Sequence, residues 1–173
     1  TLLCIHGNHE ARPTAALGYE PVERFGGTVM AQPEYPNLLF ALDGEVYGLD
    51  GRSCIAIGGA YSIDKQYRLL RGAAWWPDEQ PSEEIKRRVE SVLARRGWQV
   101  DVVLSHTTPL SYEPTEAFLP FVDQSTVDTS TEQWLDEIER KLHYTRWYAG
   151  HFHTTKTVDK LRIMYQDYAR LGE

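Results

Sequence analysis

The chain has 173 residues, 42% of them hydrophobic and 25% charged, which fits one domain, or most of one, with a buried core and argues against disorder. Its net charge of -7 argues against a grip on a nucleic-acid backbone, which needs clustered Lys and Arg to displace counterions. No run approaches the roughly 18 apolar residues of a membrane span, no signal peptide is evident, and Cys4 and Cys54, without a CxxC partner, read as buried reduced thiols of a cytoplasmic protein.

Residues 2–5 form a short apolar run that stops at Gly7-Asn8, the pattern of a buried strand opening into a functional loop. Residues 11–37 carry Pro13, Pro21, Pro33, Pro36 and Gly26-Gly27, and read as mostly loop with a short helix over 21–25. A strand is expected at 38–42. Runs at 45–49 and 53–57 flank Asp50-Gly51, a hairpin signal, and Gly58-Gly59 closes the hairpin. Residues 60–81 are rich in aromatic and charged side chains, and Pro77 and Pro81 break regular structure there.

Ser82 is an expected N-cap, with Glu83 and Glu84 in the favoured first turn and Ile85, Val89, Val92 and Leu93 at helical spacing before Arg95, Arg96 and Gly97. Residues 100–104 are a buried strand ending at Ser105-His106, and 107–130 form a long connection. Ser130 and Gln133 make a capping-box pattern ahead of Trp134, Leu135, Ile138 and Leu142, a second amphipathic helix. Residues 147–149 are a strand ending at Gly150-His151, and a second hairpin spans 154–165 around Asp159-Lys160. The acidic residues within 78–90 and 132–139 read as solvated helix faces. His6 reads as a strand-end packing residue, and His143 as a cation near a helix C-terminus.

Three short stretches carry the chemistry. Gly7-Asn8-His9-Glu10 alone is equally a tight turn, since Gly and Asn accept left-handed backbone angles. Ser105-His106 alone says little. Gly150-His151-Phe152-His153 says more: alternate residues of an extended loop point the same way, so two imidazoles converge on one centre, and imidazole suits zinc, iron, nickel and copper.

Taken together, in the order GNH, H, GHxH and each after a hydrophobic strand, these stretches resemble the calcineurin-like metallophosphoesterase superfamily, and the Trp75-Trp76-Pro77 and Gly58-Gly59-Ala60-Tyr61 segments look like those of its small bacterial members. The resemblance runs from Thr1 to about Leu171. It implies an α/β fold, an αββα sandwich of two mixed β-sheets flanked by helices, and hydrolysis of phosphomonoesters or phosphodiesters by two divalent ions (Mn, Fe or Zn). It further implies that Asn8, His106 and His151 ligate one metal and His153 the other. His9 would stand beside the scissile phosphate as general acid or charge stabiliser, with Glu10, in the place usually held by Asp, orienting it.

The superfamily also carries an Asp-x-His and a Gly-Asp-x-x-Asp motif ahead of GNH, and neither is in this sequence. The expectation is therefore the C-terminal three-quarters of a longer domain that lacks its first strands, with a site complete only with upstream residues. Arg12, Tyr61, Arg68 and Trp75 are candidate substrate contacts, with Tyr67 and Trp76 beside them, Arg68 being suited to a phosphate. The expected partner is a phosphate-ester small molecule or a phosphoprotein, not nucleic acid and not a membrane. A nuclease of the same superfamily and a non-catalytic module that binds a metal or a phosphate are the alternative readings.

Overall fold

A computed structural model describes residues 1–173, apart from the side chain at position 15. The fold is mixed α/β, with two mixed sheets of four and six strands and three α-helices, as expected. The first sheet holds β1 (Leu2–Cys4), β2 (Glu20–Arg24), β3 (Gly27–Ala31) and β4 (Leu38–Ala41), in the order β1-β4-β3-β2. The second holds β5 (Val46–Leu49), β6 (Arg52–Ile57), β7 (Val102–Ser105), β8 (Arg146–Ala149), β9 (Lys156–Val158) and β10 (Leu161–Ile163), in the order β5-β6-β7-β8-β10-β9. The helices are α1 (Lys65–Arg71), α2 (Glu83–Arg95) and α3 (Ser130–Glu139).

Two features place the site. β6, β7 and β8 run parallel side by side, so their carboxyl ends open on one edge of the sheet. β1 runs parallel to β4 in the other sheet. Its carboxyl end meets that of β6, where the Gly59 amide donates to the His6 carbonyl at 2.9 Å. Gly58 is required there, because a Cβ on it would lie 2.7 Å from the His6 Cβ.

The strands alternate as buried strands should. Ile55 and Ile57 of β6 face a core with Val89 and Leu93 of α2, Trp134, Leu135 and Ile138 of α3, and Val103 and Trp147. The opposite face carries Cys54, Val102 and Tyr148 under the C-terminal residues Ala169 and Leu171, while Ala56 joins Val29, Ala31, Leu39, Ala41 and Tyr47 between the sheets. None of the three helices contributes to that inter-sheet cluster. Tyr47 fastens the two sheets. Its fully buried hydroxyl accepts from the Leu42 amide at 2.9 Å and donates to the Thr28 carbonyl at 2.8 Å.

Some local expectations are corrected. The helix expected at 21–25 is strand β2. Phe25 (φ 55°) and Gly26 (φ 79°) form a two-residue turn with both φ positive, which suits a tight hairpin between β2 and β3. Helix α1 lies inside the segment read as irregular. It buries no residue, so it has no apolar stripe to betray it, and it ends on Gly72 at φ 64°. Ser82 caps α2 as expected, accepting from the Ile85 amide at 3.3 Å.

The capping box at Ser130 and Gln133 is not formed. Thr129 is the N-cap, Asp128 Oδ1 accepts from the Ser130 amide at 3.0 Å, and the Gln133 amide group donates to Thr129 Oγ1 at 3.0 Å. His143 is four residues past the end of α3, where its backbone bridges to Gln99. Glu79, Glu132 and Asp136 are buried, not solvated. Cys4 is half-buried and Cys54 buried, and both are free thiols. Among the described residues no helix is long and apolar enough to cross a membrane.

Candidate metal centre

The three stretches singled out in the sequence line one cleft of about 850 Å³ at the carboxyl ends of β1, β7 and β8. Asn8, His9, His106, His151 and His153 all face it, with Tyr61 and Asp64 from the segment after β6. Asn8 is 8% exposed, and its Oδ1 lies 2.9 Å from His106 Nε2. The rings of His106 and His151 meet edge to face with centroids 5.1 Å apart. The backbone joins them as well, since the Gly150 amide donates to the His106 carbonyl at 2.9 Å.

Loop 150–153 is not extended. His151 (φ 67°) and His153 (φ 50°) both take the left-handed conformation, which costs a non-glycine residue about 1 kcal/mol or more and is concentrated at functional sites. Two such residues flanking Phe152 turn both imidazoles toward the cleft. His153 is the outer member, exposed and stacked on Tyr165 at 5.2 Å.

Burial governs the chemistry of the inner pair. It pushes the His106 pKa down to about 4 and that of His151 down to about 3, with neighbouring histidines adding to the effect. Both rings are therefore neutral at ordinary pH, the state in which imidazole donates to a metal. His6 is 2% exposed, with both ring nitrogens lacking a hydrogen-bond partner, and burial followed by the Arg12 charge lowers its pKa to about 3. It packs behind the site, as the sequence suggested.

Asn8 is held by a chain of contacts that leads away from the cleft. Its amide group donates to Ser62 Oγ at 3.0 Å. The Ser62 backbone amide donates to Glu79 Oε1 at 3.2 Å, and the Trp75 indole donates to Glu79 Oε2 at 2.8 Å. Glu79 is 2% exposed, so its carboxylate is a buried anchor whose two oxygens each take a donor. Gly59 allows the close approach: at φ 87°, a Cβ there would lie 2.3 Å from the Glu79 carbonyl oxygen.

Several expected roles are reassigned. The Glu10 carboxylate takes the Gly7 amide at 2.6 Å instead of the His9 ring. The group beside His9 is Asp64, with Oδ1 3.3 Å from His9 Nε2 at the half-exposed rim, close but outside hydrogen-bond geometry. Arg12 does not line the cleft. Its guanidinium pairs with Asp43 and donates from Nε to the Asp78 carbonyl at 2.8 Å, tying the loop after β1 to the turn before β5. Arg68 and Trp75 also lie outside the cleft lining, Arg68 against the Trp76 ring and Trp75 on Glu79, with Lys65 4.3 Å from the Trp75 ring centroid. Of the four candidate substrate contacts only Tyr61 lines the cleft.

Ser62, Asp64, Glu79, Glu113 and Glu132 were not singled out in the sequence. The first two follow Gly58-Gly59 at the end of β6, a position that a strand-end rule flags. Glu113 comes from a segment without a motif, and Glu79 and Glu132 lie in stretches that read as solvated helix faces. Glu113 and Glu132 also line the cleft, and Glu132 is tied through Thr107 to the strand end that carries His106. Compared with known protein families, with curated proteins and with solved structures, the chain matches none.

Proposed function

We propose that this chain forms the histidine-rich part of a metal-dependent phosphoesterase site of the calcineurin-like kind, hydrolysing phosphomonoesters or phosphodiesters. One observation carries the reading: Asn8, His106, His151 and His153 come from three separate strand ends and face one cleft. The donors suit a borderline divalent ion such as Mn, Fe or Zn, because the set is one amide oxygen and three imidazoles, two of them kept neutral by burial. Asn8, His106 and His151 would hold one ion. His153 would give a single donor to a second, whose carboxylate donors the resemblance assigns to motifs that are not among these residues.

Bound divalent ions supply an activated water and offset the charge of the phosphoryl oxygens. The chain's own residues do the rest. The contacts running from Trp75 through Glu79 and Ser62 hold Asn8 in place, so that its oxygen faces the cleft. His9, on the rim beside Asp64, would hand a proton to a departing alkoxide. Phe118 and Phe152, stacked at 6.1 Å, keep one side of the cleft apolar.

The test is turnover of p-nitrophenyl phosphate and bis(p-nitrophenyl) phosphate by the metal-loaded protein in its full natural length. His9→Ala is expected to lower kcat by about 100-fold while metal content stays constant. Undiminished turnover in that variant, or none in the parent protein, contradicts the reading.

A further inference from the structure

The cleft has a charge problem that the metal ligands do not explain. Its lining carries five carboxylates, Glu10, Asp64, Glu113, Asp128 and Glu132, and no Lys or Arg among the described residues. Three of these have a neighbour, Glu10 and Asp128 through hydrogen bonds and Asp64 through its closeness to His9 alone. Glu10 accepts the Gly7 amide, Asp64 sits beside His9, and Asp128 takes the Ser130 amide and the Gln80 side chain.

The remaining two differ. Glu132, in the first turn of α3, is 4% exposed, and its Oε1 accepts from Thr107 Oγ1 at 2.8 Å. Its Oε2 is buried without any hydrogen-bond partner. A buried carboxylate oxygen left unpaired is costly, so this atom calls for a donor. The half-buried Glu113 shares that wall, and its carboxylate takes no hydrogen bond among the described residues. Burial, then the proximity of Glu132, pushes the Glu113 pKa up to about 7. Phe118 and Phe152 stack in the same lining.

We propose that Glu113 and Glu132, with the faces of Phe118 and Phe152, form a subsite for an ammonium group carried on the alcohol part of the substrate. The inference rests on the phosphoester reading and narrows it to esters of amino alcohols. An ammonium supplies the donor that Glu132 Oε2 lacks, offsets the surplus negative charge, and is attracted to aromatic faces. A neutral hydroxyl gives a hydrogen bond but leaves the charge in place, and an alkyl group gives neither.

The test has two arms. In the first, n-propylammonium chloride is titrated into the 173-residue chain and the Phe118 and Phe152 ring resonances are followed by NMR. Saturable shifts are expected, with n-propanol failing to compete. Glu132→Gln and the less buried Glu113→Gln should each weaken binding by about tenfold. This arm needs neither metal nor turnover.

In the second arm, the metal-loaded full-length protein is offered 2-aminoethyl, 2-hydroxyethyl and n-propyl phosphate. The aminoethyl ester should lead n-propyl by about tenfold in kcat/KM, with hydroxyethyl between, and Glu113→Gln should abolish the preference. Propylammonium that binds equally to parent and Glu113→Gln, or fails to bind the parent, overturns the subsite. So does a Glu132→Gln variant that loses a bound metal ion, which would make this wall a metal site. Propylammonium binding without turnover of any ester would uphold the cation subsite and defeat the phosphoester reading.

Discussion

Asn8 Oδ1 lies 2.9 Å from His106 Nε2, although 98 positions separate the two residues in the chain. The contact exists because the end of β1 in one sheet is fixed against the ends of β6 and β7 in the other. The amide group of Asn8 is turned away from the cleft to the buried Ser62, which leaves the oxygen facing the cleft. Ser62→Ala removes that acceptor without touching a proposed ligand. Metal affinity should fall by about tenfold, the usual effect of losing a partner behind a ligand, and calorimetric titration with Mn or Zn checks it. Unchanged affinity would mean that Ser62 does not orient Asn8.

Gly59→Ala tests the anchor beneath this arrangement. The added Cβ would lie 2.3 Å from the Glu79 carbonyl oxygen, at a φ of 87° that side chains avoid. A loss of at least about 2 kcal/mol in urea unfolding is expected from strain and clash together. Gly51 also has positive φ, but nothing lies within 4 Å of its would-be Cβ. Gly51→Ala should therefore cost less, about 1 kcal/mol, from backbone strain alone.

Tyr47→Phe separates fold from site. It removes one fully buried hydroxyl and leaves the Leu42 amide and the Thr28 carbonyl unpaired between the sheets. A loss of about 1–3 kcal/mol is expected in urea unfolding. Metal binding should be unaffected, because Tyr47 does not line the cleft.

The metal-free protein should lose stability as pH falls below the ordinary histidine range. His6, His106 and His151 have folded pKa values lowered to about 3, 4 and 3 from 6.5, chiefly by burial. Above 6.5 these rings are neutral in both states and contribute no pH dependence. Below it the unfolded chain takes up protons that the folded chain refuses, so stability drops by at most about 1.4 kcal/mol per pH unit for each ring.

Glu113 works the other way. Its folded pKa is raised from 4.5 to about 7, so its contribution is full below 4.5 and is lost as pH rises through 7. Between 4.5 and 6.5 the three histidines oppose Glu113 and Glu132, whose pKa burial also raises, and the net change is still a loss toward acid. Urea unfolding across this range, with chelator present, checks the slope. A flat profile would contradict the buried, neutral state of the histidines.

The strand-end loops were legible in the sequence because Gly, Asn and His after an apolar run leave a local signature. The hairpin at Asp50-Gly51 and the cap at Ser82 were legible for the same reason. The contacts that complete the site are long-range and left no such mark. Asp64 rather than Glu10 beside His9 follows from where the segment after β6 lies against the loop after β1, which no spacing encodes. Glu79 and Glu132 resembled ordinary solvated acids, since burial of a charged group depends on the neighbours that tertiary packing brings to it. Arg12 and Arg68 looked like phosphate partners by residue type, yet the fold sets one on Asp43 and the other against Trp76. Helix α1 escaped notice because it buries nothing.

The most direct measurement is the count of tightly held Mn, Fe or Zn in the purified 173-residue chain, by elemental analysis after dialysis, beside the His151→Ala variant. The account predicts about one ion per chain, held by Asn8, His106 and His151, and its loss from the variant. A parent chain that retains no metal, or a variant that retains as much as the parent, would contradict it.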